Sequence, residues 1–298
     1  MQCRERAVAF TCEGESLQGV ACGPVEAVAA SGLGVVIVVG GPQYRAGSHR
    51  QFVLLARALA ARGHHCLRFD HRGMGDSGGP VRKFEDIGAD IDAAIDALHA
   101  SSPGLRRIAL WGLCDGASAS LLYLQSRGTR ARADALCLLN PWVRSAESLA
   151  KTQVRHYYTQ RLMQKAFWQK LLSGGTGWRA LREFAGNLRT ATKRGPQAGS
   201  MNQNYQQRMA AAWRDFPGPI LLLLSGDDYV AKEFLDHAEA EPAWAGLLDR
   251  PGLERHDLPG VDHTFSSALW RRQVEDLTAR WLYQLSASTP DTAGQCAR

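Results

Sequence analysis

Cys114 stands at the centre of Gly112-Leu113-Cys114-Asp115-Gly116, preceded by the apolar run Ile108 to Trp111 and followed by helix-spaced small and apolar residues, Ala117 to Leu122. That pattern places a thiol at the apex of a sharp strand-to-helix turn. In a G-x-Nu-x-G elbow the central residue is the nucleophile, and the flanking glycines remove the β-carbons that would clash as strand and helix close up. The N–H of Asp115 opens the helix and faces the place where an oxyanion would form. A free cysteine is most often an inert small hydrophobe, so the motif needs partners further along the chain.

Both partners appear, in the order nucleophile, acid, base. The apolar run Pro219 to Ser225 ends in Gly226-Asp227-Asp228, and either carboxylate suits the acid position. After a last short strand, Leu253 to Leu258, the loop Pro259-Gly260-Val261-Asp262-His263-Thr264-Phe265 offers His263 as the base. Upstream, the strand from Gly34 ends in Gly40-Gly41-Pro42. Gly41 is the candidate second oxyanion donor, since Pro42 has no N–H.

The elements that must carry these residues follow from the pattern of apolar runs. Residues 5 to 24 give two short segments around Glu13-Gly14-Glu15, an edge hairpin. Ser48 is placed to cap a helix through Phe52, Leu55 and Leu59, and a strand runs from His65 to Asp70. The loop Asp70 to Gly79, DHRGMGDSGG, has neither phosphate-loop spacing, so its role is structural, with Asp70 and Arg72 tying the strand end to its neighbours. Phe84 to Leu98 is an amphipathic helix, and Ala133 to Leu139 another buried strand stopped by Asn140-Pro141. From Trp142 to Phe216 strand character disappears, and helical spacing carries Tyr157, Leu162, Trp168 and Leu172. This segment is expected to be a helical cap inserted over the site. The core is then 1–141 with 217–285, and 286–298 is a polar tail expected to be disordered.

Bulk properties narrow the class. A chain of 298 residues with 45% apolar composition can bury one large core, and its longest apolar runs fall far short of the ~20 residues of a membrane span. The N-terminal MQCRERAVAF has no apolar signal core, which fits a cytoplasmic protein. Seven cysteines, odd in number and without C-x-x-C spacing, argue against a disulfide scaffold and a zinc site and fit a reducing compartment. No metal or organic cofactor is needed by the chemistry. The net charge of +6 is uneven: Trp142 to Asp215 holds 13 Lys/Arg against 3 Asp/Glu, while the rest holds 22 against 26. A solvated helical face accounts for such runs most often; attraction of an anionic substrate, a carrier or a membrane surface is the sharper reading. Bases mix with aromatics there, but no nucleic-acid module is recognisable.

Taken together, strand-GGP, DHRGMGDS, GLCDG, SGDD and GVDHTF resemble the α/β-hydrolase fold, in that order and over nearly the whole chain outside the expected cap. The resemblance implies a mostly parallel central sheet with helices on both faces. More narrowly, GGPQYRAGSHRQF, LWGLCDGASA and SGDDYVAKEF followed by GVDHTFSS are similar to the first type of exosortase A system-associated hydrolase, in which cysteine replaces the elbow serine. Those proteins are encoded beside exopolysaccharide and PEP-CTERM sorting genes in Gram-negative bacteria. Their pattern sets the acid two residues after the glycine, at Asp228, with Asp227 as the fallback. Val39 stands where many members of the wider fold have His.

The chemistry this implies is acyl transfer to water through a thioester on Cys114, with His263 as base, Asp228 orienting it, and Gly41 and Asp115 as oxyanion donors. His263 and the helix N-terminus are expected to raise the thiolate fraction of Cys114. Two rivals stand beside hydrolysis: transfer to an alcohol or amine, and a non-catalytic protein that uses the pocket for recognition.

Overall fold

A computed structural model describes residues 3–25, 32–41, 43–144 and 204–287. Most of the expected cap, 145–203, and most of the C-terminal tail, 288–298, lie outside the described residues.

Eight strands form one sheet: β1 (Cys3–Cys12), β2 (Glu15–Pro24), β3 (Leu33–Val38), β4 (His65–Phe69), β5 (Arg107–Leu113), β6 (Ala135–Leu139), β7 (Ile220–Ser225) and β8 (Leu253–Leu258). Their order is β1-β2-β4-β3-β5-β6-β7-β8. The hairpin β1–β2 is antiparallel and joins β4 antiparallel at one edge, as the turn at Glu13-Gly14 requires. From β4 onward every pair is parallel. Parallel strands buried on both faces read as continuous β-branched and leucine runs. Every residue of β3 and β7 is buried.

Period-2 alternation splits those runs between two cores. Val36 and Val38 of β3 join one face, Val35 and Ile37 the other. The first face is covered by α2 (Gly88–Ser101), α3 (Asp115–Arg127), α4 (Tyr205–Asp215) and α5 (Tyr229–Ala240). The second is covered by α1 (Gln51–Ala60) and α6 (Ala268–Ala287). This is the expected α/β-hydrolase architecture.

Two local expectations change. Ser48 does not cap α1: it begins a short 3-10 turn, and Arg50 precedes the helix in the left-handed region without a side-chain cap. His49 and Arg50 both take positive φ, 53° and 59°, which bends the chain between Ser48 and the first turn of α1. Helix α4, assigned from sequence to the inserted cap, packs on the core instead. Its Met209, Ala210 and Trp213 are buried, and the Trp213 ring meets Trp244 edge-on at 5.4 Å. Aromatic burial on one stripe of α4 outweighs its polar composition.

The loop after β4 has the structural role expected. Asp70 accepts the Arg45 N–H at 2.6 Å and the Asp76 N–H at 3.1 Å, and its carboxylate pairs with the Arg45 guanidinium. Arg72, buried, grips both oxygens of buried Asp90 on α2 and also pairs with Glu13. None of the six described cysteines is in a disulfide. Among the described residues, no helix is long and apolar enough to cross a membrane.

Candidate active site

Strand β5 ends at Leu113, α3 begins at Asp115, and Cys114 between them has φ 60° and ψ −124°. A non-glycine residue in that conformation is strained, and the neighbours hold it there. Its N–H donates to the Leu139 carbonyl at 2.8 Å, and its carbonyl accepts from the Ala117 and Trp142 N–H groups. A β-carbon on Gly112 would lie 2.5 Å from the Gly116 backbone, and one on Gly116 would lie 2.3 Å from the Val38 carbonyl. The two glycines are therefore what lets β5, α3 and β3 converge beneath the thiol.

Because β5, β6, β7 and β8 run parallel, their C-terminal ends gather at one edge, with neighbouring strands ~4.8 Å apart. Asp228 follows β7 and is buried; its Oδ1 accepts the Val230 N–H at 2.9 Å, capping α5. Its Oδ2 accepts from Nδ1 of His263 at 2.7 Å. Asp227 is exposed, so the geometry pairs His263 with Asp228 rather than with its neighbour. The His263 loop is shaped by Asp262, whose Oδ1 accepts the Thr264 and Ser266 N–H groups at 3.1 and 3.0 Å. Behind it Phe265 is buried with φ 51°.

The sulfur itself is part-buried. No hydrogen bond joins it to the His263 ring among the described residues, and the ring's recorded partner is Asp228. The thiol is not pre-ionised, contrary to the sequence expectation. Burial pushes its pKa up to about 12, and the carboxylates of Asp115 and Asp228 add to the rise; the Asp115 N–H and Arg144 oppose it without prevailing. Desolvation of a thiolate beside two carboxylates outweighs one helix terminus.

Gly41, with φ 63°, lies close to Asp115, and it is the Asp115 carboxyl that faces it. Its Oδ1 would be 2.1 Å from a β-carbon on Gly40 and 3.8 Å from one on Gly41. The N–H groups of Gly41, Asp115 and Gly116 favour its charged form, yet burial prevails and raises its pKa above the ordinary value. The Oδ1 atom is buried with no hydrogen-bond partner.

Sequence reasoning missed Asn140 as a positioning residue. In the left-handed region at φ 44°, it donates from Nδ2 to Ser225 Oγ at 2.9 Å and accepts the Ser225 N–H at 2.8 Å, locking the end of β6 to the end of β7. The signal was an asparagine at a buried strand end, where a residue tolerant of positive φ is favoured. Among the described residues no cluster of His, Cys, Asp and Glu is arranged to hold a metal ion.

Comparison with known proteins adds a family. Residues 33–241 match the model of the family described as serine aminopeptidase, S33. A search of curated protein sequences finds no match. Among solved structures, an esterase from Pyrococcus furiosus is similar with TM-score 0.59 and 16% identity, covering 94% of this chain and 92% of its own. The α/β hydrolase GrgF from Penicillium sp. sh18 is similar with TM-score 0.61 and 16% identity, covering 95% and 99%. Est1E from Butyrivibrio proteoclasticus, solved with ferulic acid, is similar with TM-score 0.60 and 16% identity, covering 94% and 100%. At these identities the likeness is one of fold.

Proposed function

The chain belongs to the serine aminopeptidase S33 family of hydrolases, and from that premise we propose that it cleaves an ester or thioester through a covalent acyl-enzyme on Cys114. Cysteine stands where the family's description names serine. The observation that supports this most is the strained Cys114 elbow at the sheet edge that also carries the hydrogen-bonded Asp228–His263 pair.

With a thiol pKa near 12, the nucleophile is not a resting ion pair. The proton leaves Sγ for Nε2 of His263 as the sulfur attacks the carbonyl carbon, making His263 a general base in the bond-forming step. Asp228 holds the Nδ1–H tautomer and stabilises the imidazolium. Once the Asp115 carboxyl swings away from them, the Gly41 and Asp115 N–H groups receive the oxyanion, each worth about 3 kcal/mol in such sites. As the intermediate collapses, His263 returns its proton to the leaving group. Water then cleaves the thioester by the same relay, regenerating the thiol. The scheme uses no metal or cofactor.

The substrate is a small-molecule, lipid-linked or saccharide-linked acyl compound. The motif resemblance to exosortase A system-associated hydrolases supports a place beside exopolysaccharide and PEP-CTERM sorting, and the free cysteines support a cytoplasmic one. The basic segment from Trp142 to Asp215 is the stretch of sequence we assign to an anionic carrier or peripheral membrane contact.

Cys114→Ala is the test. Loss of hydrolysis across a panel of activated esters and thioesters supports the reading, and undiminished hydrolysis overturns it. A second reading, a non-catalytic binding protein, is favoured by one observation: the thiol is held protonated without a bond to His263. Stoichiometric acylation of Cys114 that is lost in His263→Ala decides against it. Acyl transfer to an alcohol or amine is read from the products when an acceptor is added.

A further inference from the structure

Beside the elbow lies a cavity of about 280 Å³, lined in part by Val39, Gly40, Gly41, Asp115 and His71. Met74, Arg82, Lys83 and Phe84 close the rest. Its volume lies just below the ~300–1,000 Å³ range of ligand pockets, enough for a short branch of a substrate rather than a whole chain. Because Gly41 and Asp115 are also the proposed oxyanion donors, the cavity begins where the scissile carbonyl would lie.

Part of its polar lining lacks partners. His71 is 5% exposed, and its Nδ1 donates to the Arg72 carbonyl at 3.2 Å, so the neutral ring presents a lone pair at Nε2, which makes no hydrogen bond among the described residues. The Asp115 Oδ1 and Arg82 Nε are likewise buried without a hydrogen-bond partner. Arg82 is half-buried and Lys83 exposed, and neither forms an ion pair with a carboxylate among the described residues, whereas buried Arg72 is matched by Asp90 and Glu13. Buried polar groups are ordinarily satisfied, and the unpartnered Arg82 donor beside this cavity marks a place where another molecule can complete the bonding.

We infer that this cavity binds an anionic oxygen group, a carboxylate or a phosphate, on the part of the substrate next to the scissile carbonyl, with Arg82 and Lys83 as its counter-charges. The inference rests on the proposed acyl chemistry and narrows its substrate class. The guanidinium offers a planar pair of donors and the lysine a movable point charge. Burial raises the Asp115 carboxyl above its ordinary pKa, which lowers the cost of placing an anion beside it. Phe84 and Met74 supply the apolar wall along which the intervening methylenes run, and Phe84 is itself braced by Tyr205 of α4 at 5.4 Å between ring centroids.

The test measures binding without turnover, so its failure is separate from failure of the Cys114 chemistry. The whole protein is titrated calorimetrically with glutarate, inorganic phosphate and neutral glutaramide. Saturable binding of glutarate or phosphate, with no binding of glutaramide, is expected, and the stronger of the two anions names the group. In Arg82→Met/Lys83→Met the Kd rises at least tenfold, while in Arg82→Lys/Lys83→Arg, which keeps both charges, it stays within a few-fold. Thermal melts of both variants establish that they fold; if the methionine variant does not, each single substitution is titrated instead. Neither anion binding, equal binding of glutaramide, or an unchanged Kd in the methionine variants overturns the inference.

Discussion

Asp228 Oδ2 accepts from His263 Nδ1 at 2.7 Å while Oδ1 of the same carboxylate caps α5 through the Val230 N–H. One side chain thus orients a base and starts a helix, and the two duties separate by substitution. Asn at 228 keeps a capping oxygen but presents an amide to the imidazole, which favours the wrong ring tautomer. Asp228→Asn is expected to lose ~10²–10⁴ in kcat with stability changed by less than about 1 kcal/mol. Asp228→Ala loses both, adding ~0.5–2 kcal/mol of destabilisation. Ester turnover and urea melts of the two variants check this, and a similar activity in wild type and Asp228→Asn would remove Asp228 from the site.

The elbow makes a steric prediction. A β-carbon at 116 meets the Val38 carbonyl oxygen at 2.3 Å, where no flexible side chain can yield. Gly116→Ala is expected to destabilise by ~1–3 kcal/mol and to move Cys114 out of place. Gly104, where a β-carbon meets nothing within 4 Å, is the control, and Gly104→Ala changes stability by under about 0.5 kcal/mol. Chemical denaturation of the pair is the measurement.

Residues whose roles depend on local chain order were legible in the sequence. The elbow, the edge hairpin, the Asp70 and Arg72 anchors and the position of His263 each follow from a turn, a period or a strand end, which neighbouring residues determine. What was not legible depends on contacts across the sheet. Helix α4 looks like a polar cap helix until Trp213 is seen against Phe234 and Trp244. The thiol pKa depends on two carboxylates, one adjacent and one 114 residues away, and on burial that no spacing reveals. Asp115 and His71 come to one cavity because β4 lies beside β3, and β3 beside β5.

Buried Arg72 and Asp90 predict a large, asymmetric penalty. The guanidinium donates from Nε and Nη2 to both Asp90 oxygens, and the Arg72 N–H donates to Oδ1 at 2.8 Å. Asp90→Leu leaves a buried cation half-matched, so it is expected to cost ~3–5 kcal/mol, whereas Arg72→Met/Asp90→Leu recovers part of that loss relative to the sum of the two single substitutions. Denaturant melts of the single and double variants give the coupling energy, and additive losses would show that the pair acts through packing alone.

The buried cysteines predict an alkaline limit on stability. Burial pushes the Cys12 thiol up to about 11 and Cys22 up to about 12, and it also raises Cys66 and Cys137. An unfolded thiol ionises near pH 9, so above that pH the unfolded chain has released protons that the folded chain still holds. Stability is therefore unaffected by these groups below about pH 9 and falls as pH rises toward the folded pKa values, each thiol contributing up to about 1.4 kcal/mol per pH unit. Urea midpoints from pH 7 to 11 check the sign. Replacing the fully buried Cys137 by Ala flattens the fall by one thiol's share, apart from a pH-independent cavity cost, because the substitution removes the proton linkage along with the sulfur.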